Sequence, residues 1–142
     1  MRALLDVNVL IALLDSDHVS HAAAMRWFSD NAQYGWASCP ITQNGCIRIL
    51  SHPGYPNSVP PRVVIERLAE ATASKVHEFW PDDVCLLDGR TADATRIHGP
   101  RQLTDLYLLA LAVRHGGKLV TFDKSIALDA VRGAQPHHLL TL

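Results

Sequence analysis

Short apolar runs alternate with longer, periodically apolar stretches along the chain. Ala3-Leu4-Leu5 reads as a short buried strand, and Val9 to Leu14 as an apolar, helix-compatible run. His18 to Asn31 carries Ala22, Met25 and Phe28 at helical spacing, with Trp27 beside them. Tyr34 to Ser38 reads as a second strand, and Ile41 to Leu50 as a helix with Pro40 near its start, where proline is tolerated. A loop rich in Pro, Gly, Ser and Asn spans Ser51 to Pro61. Val63 to Ala73 then predicts a helix, Val76 to Trp80 a third strand stopped by Pro81, and Thr91 to Ile97 a short helix broken at His98-Gly99-Pro100. The clearest helix is Leu103 to His115. Leu106, Ala110 and Val113 recur on one face, Thr104 is a candidate N-cap, and Gly116-Gly117 is a stop. Leu119 to Phe122 predicts a fourth strand, Ser125 to Val131 a short helix, and His138 to Thr141 a last strand.

Strands alternating with helices predict an α/β domain with a mainly parallel sheet. No repeat or linker interrupts the pattern, so residues 1–142 are expected to form one domain. The proline-rich loop is too short to divide it.

Composition narrows the function classes. A formal net charge of −1 argues against nucleic-acid binding by bulk charge alone. Contact with a polyanion must then be local, or must run through a bound cation. Three cysteines, without C-x-x-C spacing, argue against a disulfide framework or a zinc ribbon. Neither a signal-peptide pattern nor an apolar run near the ~20 residues of a membrane helix occurs, so a cytoplasmic protein is expected.

The acids are more informative. In a parallel sheet, ligands bind along the edge where strands end and helices begin. Asp6 directly follows the first predicted strand, Asp123 follows the fourth, and Asp105 lies in the first turn of the strongest helix. Acids far apart in sequence are thereby expected on one edge. Such carboxylates repel unless a cation sits among them. Hard cations such as Mg2+ take oxygen ligands and keep several waters. They also neutralise phosphodiester charge and make hydroxide available near neutral pH.

Three motifs in order now resemble the PIN-domain nucleases, and within them the VapC toxins of VapBC toxin–antitoxin pairs. They are Asp6-Val7-Asn8-Val9-Leu10, Thr104-Asp105-Leu106-Tyr107-Leu108-Leu109-Ala110, and Leu119-Val120-Thr121-Phe122-Asp123. The resemblance covers nearly the whole chain. It implies a PIN-like α/β/α sandwich and Mg2+- or Mn2+-dependent endoribonuclease activity, with Asp6, Asp105 and Asp123 as metal-site acids. By the same resemblance, Asn8 and Thr121 orient those carboxylates, and a VapB-like antitoxin and a homodimer are expected, with RNA as substrate. Arg101, Lys124 and Arg48 are candidates for holding phosphates, or plain surface charges. One position departs: Gln43 stands where many PIN domains carry a Glu early in the helix after the second strand. A neutral amide is a weaker ligand, which leaves a catalytically weakened fold, serving as an RNA- or protein-binding module, as the alternative.

Other residues carry less. Asp82 and Asp83 either extend the acidic edge or cap the turn after Pro81. His18 and His21 have zinc-compatible spacing but no further ligands nearby in sequence. His137 and His138, adjacent on a strand, are expected to face opposite ways. Trp27, Phe28, Trp36 and Trp80 are expected in the core. A haloacid-dehalogenase-type phosphatase needs an acid where Asn8 stands, and a phosphoacceptor receiver has no role for the helix of Asp105.

Overall fold

The computed structural model describes residues 1–142. A five-stranded sheet, all parallel, runs in the order β3-β2-β1-β4-β5. The strands are β1 (Ala3–Leu5), β2 (Trp36–Ser38), β3 (His77–Phe79), β4 (Lys118–Thr121) and β5 (Leu139–Thr141). The helices are α1 (Val7–Leu14), α2 (His21–Asn31), α3 (Pro40–Leu50), α4 (Pro61–Thr72) and α5 (Leu103–Arg114). Side chains alternate across the strands and divide the core in two. Ala3, Leu5, Trp36 and Val120 face the layer that includes Val9, Cys46 and Val64 of α1, α3 and α4. Leu4, Ala37 and Leu119 face α5. The α/β/α sandwich anticipated above is thus the observed architecture.

Leu103–Arg114 is more deeply enclosed than a one-faced helix. Leu106 and the continuous run Leu108 to Ala112 are all buried. A helix apolar on all sides must be covered on all sides. The outer cover comes from irregular chain: Trp80, Ala92, Ala130 and Val131 join the same core, and an antiparallel bridge between Ala92 and Val131 ties the two covering segments together.

Several boundaries differ from those expected. Thr104 is the second residue of α5, not its cap. A short 3-10 turn, Pro100–Gln102, leads into the helix, and the Gln102 Oε1 accepts from the His98 and Gly99 amides at 2.7 and 3.1 Å. Proline at the start of that turn needs no amide partner, which extends the helical path upstream. The helix expected from Ser125 to Val131 is reduced to the 3-10 turn Leu128–Ala130, and that from Thr91 to Ile97 to Ala94–Arg96. There Asp93 and Asp123 bind nearby amides and hydroxyls locally, an alternative to continued helix. His137 and His138 lie in a 3-10 turn rather than a strand, with ring centroids 4.1 Å apart. Trp36 and Trp80 are core residues as expected, although Trp80 follows the edge strand β3 rather than a central one.

A candidate acidic active site

The sheet order decides where a crevice opens. From β1 the chain moves out through β2 to β3, then returns through α5 to β4 on the other side of β1. The carboxyl ends of β1 and β4 flank this reversal, the place where open α/β sheets bind ligands. Asp6 leaves β1 there, and Asp123 lies two residues beyond the end of β4. Asp105, in the first turn of α5, enters the same edge.

Asp6 is held rigidly. It is the N-cap of α1, and its Oδ1 accepts from the Val7 amide at 2.7 Å. Thr121 Oγ1 donates to Asp6 Oδ2 at 2.8 Å and accepts from the Asp123 amide at 3.0 Å. One buried hydroxyl therefore orients the first acid directly and the third through its backbone. Asp123 is turned by Ser125, whose amide and hydroxyl both donate to Asp123 Oδ1, at 2.7 and 2.6 Å. Ser125 was not among the sequence candidates. The local Asp-x-Ser spacing, a recurrent turn signature, was the available signal.

The electrostatics separate the three acids. Burial raises the pKa of Asp6, against the donors Thr121 and Val7, which lower it. Asp105 is pushed up to about 6, first by burial and then by the charges of Asp6 and Asp123. Hydrogen bonds from Ser125 lower the pKa of Asp123. Asp105 thus holds its proton well above the ordinary carboxylate range. The carboxylates do not close into a cage: no three His, Cys, Asp or Glu side chains surround one point. The donor set is oxygen only and open. It suits a hard cation that keeps most of its waters and meets the carboxylates partly through them, and it does not suit a tetrahedral zinc site.

A cavity of about 200 Å3 opens beside Asp105 and Asp123, lined also by Arg101, Gln102, Ser125 and Ile126. Lys124 is exposed next to Asp123. Arg48 lies apart, in a separate groove with His52 and Tyr55. Asn8 is exposed on α1 and makes no hydrogen bond with the acids, so the orienting contact expected of it is absent. Gln43, in the first turn of α3, is half-buried, and its Nε2 donates to Ser38 Oγ at 2.9 Å.

The remaining candidates go elsewhere. Asp82 lies near the Cys39 thiol, and Asp83 pairs with His115 at 2.9 Å, so neither acid joins the three. His18 Nδ1 accepts from the Ser20 amide at 3.0 Å, and His21 Nδ1 lies 2.7 Å from the Ala12 carbonyl.

Comparison with known proteins gives concordant findings. Residues 3–132 match the model of the PIN domain family. Over all 142 residues, and the whole of both chains, the sequence is 56% identical to Ribonuclease VapC44 of Mycobacterium tuberculosis. It is 48% identical over 134 residues to Ribonuclease VapC39 of the same organism, covering 94% of this chain and 96% of that one. Among solved structures, VapBC2 from Rickettsia felis, bound to a DNA fragment from its promoter, superposes with a TM-score of 0.58 at 13% identity, covering 87% of this chain and 89% of that one. At that identity the likeness speaks for the fold alone.

Proposed function

This chain belongs to the PIN-domain family, as a ribonuclease of the VapC type, and on that premise we propose that it is an endoribonuclease toxin working through Mg2+ or Mn2+ held at Asp6, Asp105 and Asp123. The observation that carries the reading is the meeting of these acids at the reversal of strand order, with Asp105 unable to ionise normally beside the other two. A structural role gives no reason to gather like charges there. A divalent cation at this edge would relieve the repulsion among the carboxylates.

The cation, when bound, would supply a nucleophilic water at neutral pH and neutralise phosphodiester charge. The protein's part is positional. Thr121 and the α1 amide hold Asp6, so its carboxylate need not reorganise. Ser125 holds Asp123 in its ionised form. Arg101, which lines the cavity with Asp105 and Asp123, would hold a flanking phosphate. A module that only binds RNA or protein would have no use for the conflict among the carboxylates. A VapB-like antitoxin covering this edge, assembly as a homodimer and a cytoplasmic location complete the proposal. No helix is long and apolar enough to cross a membrane.

The deciding experiment is cleavage of total RNA by the purified protein with Mn2+, with Mg2+, and in excess EDTA. New 5′ ends with either metal, and none in EDTA or with Asp105→Asn, is the expected outcome. Cleavage that persists in EDTA overturns the metal assignment.

A further inference from the structure

A second cavity, of about 350 Å3, lies between α5 and the two irregular segments that cover it. Ala110, Val113 and Val131 give it an aliphatic floor, and Arg90, Arg114 and Arg132 line it with a single carboxylate, Asp88. Three cations against one anion leave an excess of two positive charges. Arg90 is committed to Asp88, with Nε and Nη2 at 3.1 and 2.9 Å. Arg132 donates from Nε to the Gly89 carbonyl at 3.2 Å, and its ion pair with Asp93 is long, at 3.7 Å. Arg114, exposed in the last turn of α5, makes neither a side-chain hydrogen bond nor an ion pair. A cation in the last turn of a helix is ordinary, since it meets the negative end of the helix dipole. Two more brought beside it by separate stretches of chain, over an aliphatic floor, are not accounted for by that dipole.

This cavity and the acidic one are strung along the same helix. Leu106 lines the cavity of Asp105 and Asp123, while Ala110 and Val113 line the second. Positions four and seven residues apart share one helix face. The segment after β4 runs the same way: Ser125 and Ile126 line the first cavity, Val131 and Arg132 the second. Between them in the chain, Asp129 holds Arg96 at 2.7 Å. Arg114 is nine residues beyond Asp105 on α5, roughly 14 Å along the axis at the α-helical rise. Single-strand binders commonly track several nucleotides of backbone, enough to cover that span.

We propose that the arginine-lined cavity is a second contact for the substrate RNA: the strand leaving the acidic edge follows α5, sets a phosphate on Arg114 and Arg132, and lays a base over the aliphatic floor. The proposal rests on the reading that RNA is cut at the acidic edge. A guanidinium fork matches the oxygens of a phosphate, and unstacked bases of single-stranded RNA pack on guanidinium planes. Arg114 has no partner within the chain, so its fork is open to one from outside. A chain of net charge −1 must hold a polyanion through local cations, and this cavity gathers three.

Fluorescence anisotropy tests it, with Asp105→Asn as the parent so that no RNA is cut during the measurement. The probe is a labelled single-stranded RNA of mixed sequence and about twelve nucleotides, within the usual site range of single-strand binders. Added to the parent, Arg114→Ala should weaken binding on the order of fivefold and lower the slope of log affinity against log salt by about 0.7, as loss of one phosphate contact on a single strand does. Arg114→Glu should weaken binding further. Arg26 is the matched control, an exposed cation without an ion pair on α2 in the other layer. Arg26→Glu should bind as the parent does. Equal losses from Arg26→Glu and Arg114→Glu would mean that the probe reads bulk charge, and overturn the proposal. So would an Arg114→Glu variant that binds as the parent does. A change of oligomeric state in sedimentation, with RNA affinity retained, would make the cavity an interface between copies of the chain and overturn it as well. Failure of the parent to bind the probe, while wild type cuts total RNA, overturns this proposal and leaves the ribonuclease reading standing. Wild-type protein that cuts no RNA overturns both.

Discussion

At the scale of single residues, Asp105 governs both function and pH response. Asp105→Asn keeps the side-chain volume and removes a charge, so the circular-dichroism spectrum should be unchanged. RNA cleavage should fall at least ~100-fold, since even the outer partners of metal ligands cost about 10–100-fold. The same residue sets a stability trend. Its pKa rises from the ordinary 3.8 to about 6 in the folded, metal-free protein. A raised carboxyl pKa means that the folded state holds the proton more tightly than the unfolded chain does. The contribution is complete below about pH 3.8 and is lost as pH climbs through 6. The melting temperature of metal-free wild type should therefore fall relative to Asp105→Asn across that window, and saturating Mn2+ should reverse the trend. A pH-independent difference between the two proteins would contradict this account. Thr121→Val tests the support beneath Asp6. It removes the hydroxyl bonded to Asp6 Oδ2 at 2.8 Å with little change of shape. A loss of about 1–3 kcal/mol in urea unfolding is expected, the usual cost of stranding a buried polar partner.

At the scale of elements, α5 and the turn after it separate stability from chemistry. Gly117 joins α5 to β4, at the end of the helix away from Asp105. A methyl group there would lie 2.6 Å from the Arg2 carbonyl oxygen and 2.7 Å from the Trp80 ring. The backbone contact cannot be relieved by a rotamer change. Gly117→Ala should therefore cost about 1–3 kcal/mol through overpacking, read as a lower urea midpoint. Its Mn2+ affinity should stay at the wild-type value. An equal loss of both would mean that the two ends of α5 are coupled through the helix. The helix itself was legible in the sequence, but its environment was not. Periodicity marks which positions are apolar, whereas the covering of its outer side depends on irregular segments with no period to read.

At the scale of the whole molecule, the question is how a chain of net charge −1 engages a polyanion. The acidic edge needs a cation, and cationic side chains must lie at its rim. Arg101 lines the cavity with Asp105 and Asp123. Arg101→Ala should weaken RNA binding about equally for different sequences and reduce the salt dependence by roughly one charge, measured by fluorescence anisotropy at several ionic strengths. Mn2+ affinity should not change. A lost preference for particular sequences would instead make Arg101 a base-reading residue.

The sequence alone determined the α/β class, the parallel sheet and the edge on which Asp6, Asp105 and Asp123 meet. Those conclusions follow from short-range pattern, since strand and helix periods and the placement of acids at element ends need no knowledge of packing. It also marked Gln43 as a departure. Only the tertiary structure decided what surrounds these residues. Thr121 bonds a carboxylate 115 positions away, while Asn8, two residues from Asp6, makes no hydrogen bond with it. Ser38 and His77 lie 39 positions apart and meet because β2 and β3 are neighbours in register. Hydrogen bonds need angles and distances within a few tenths of an ångström. Such geometry is set by how whole elements dock, and no local pattern in the chain encodes it.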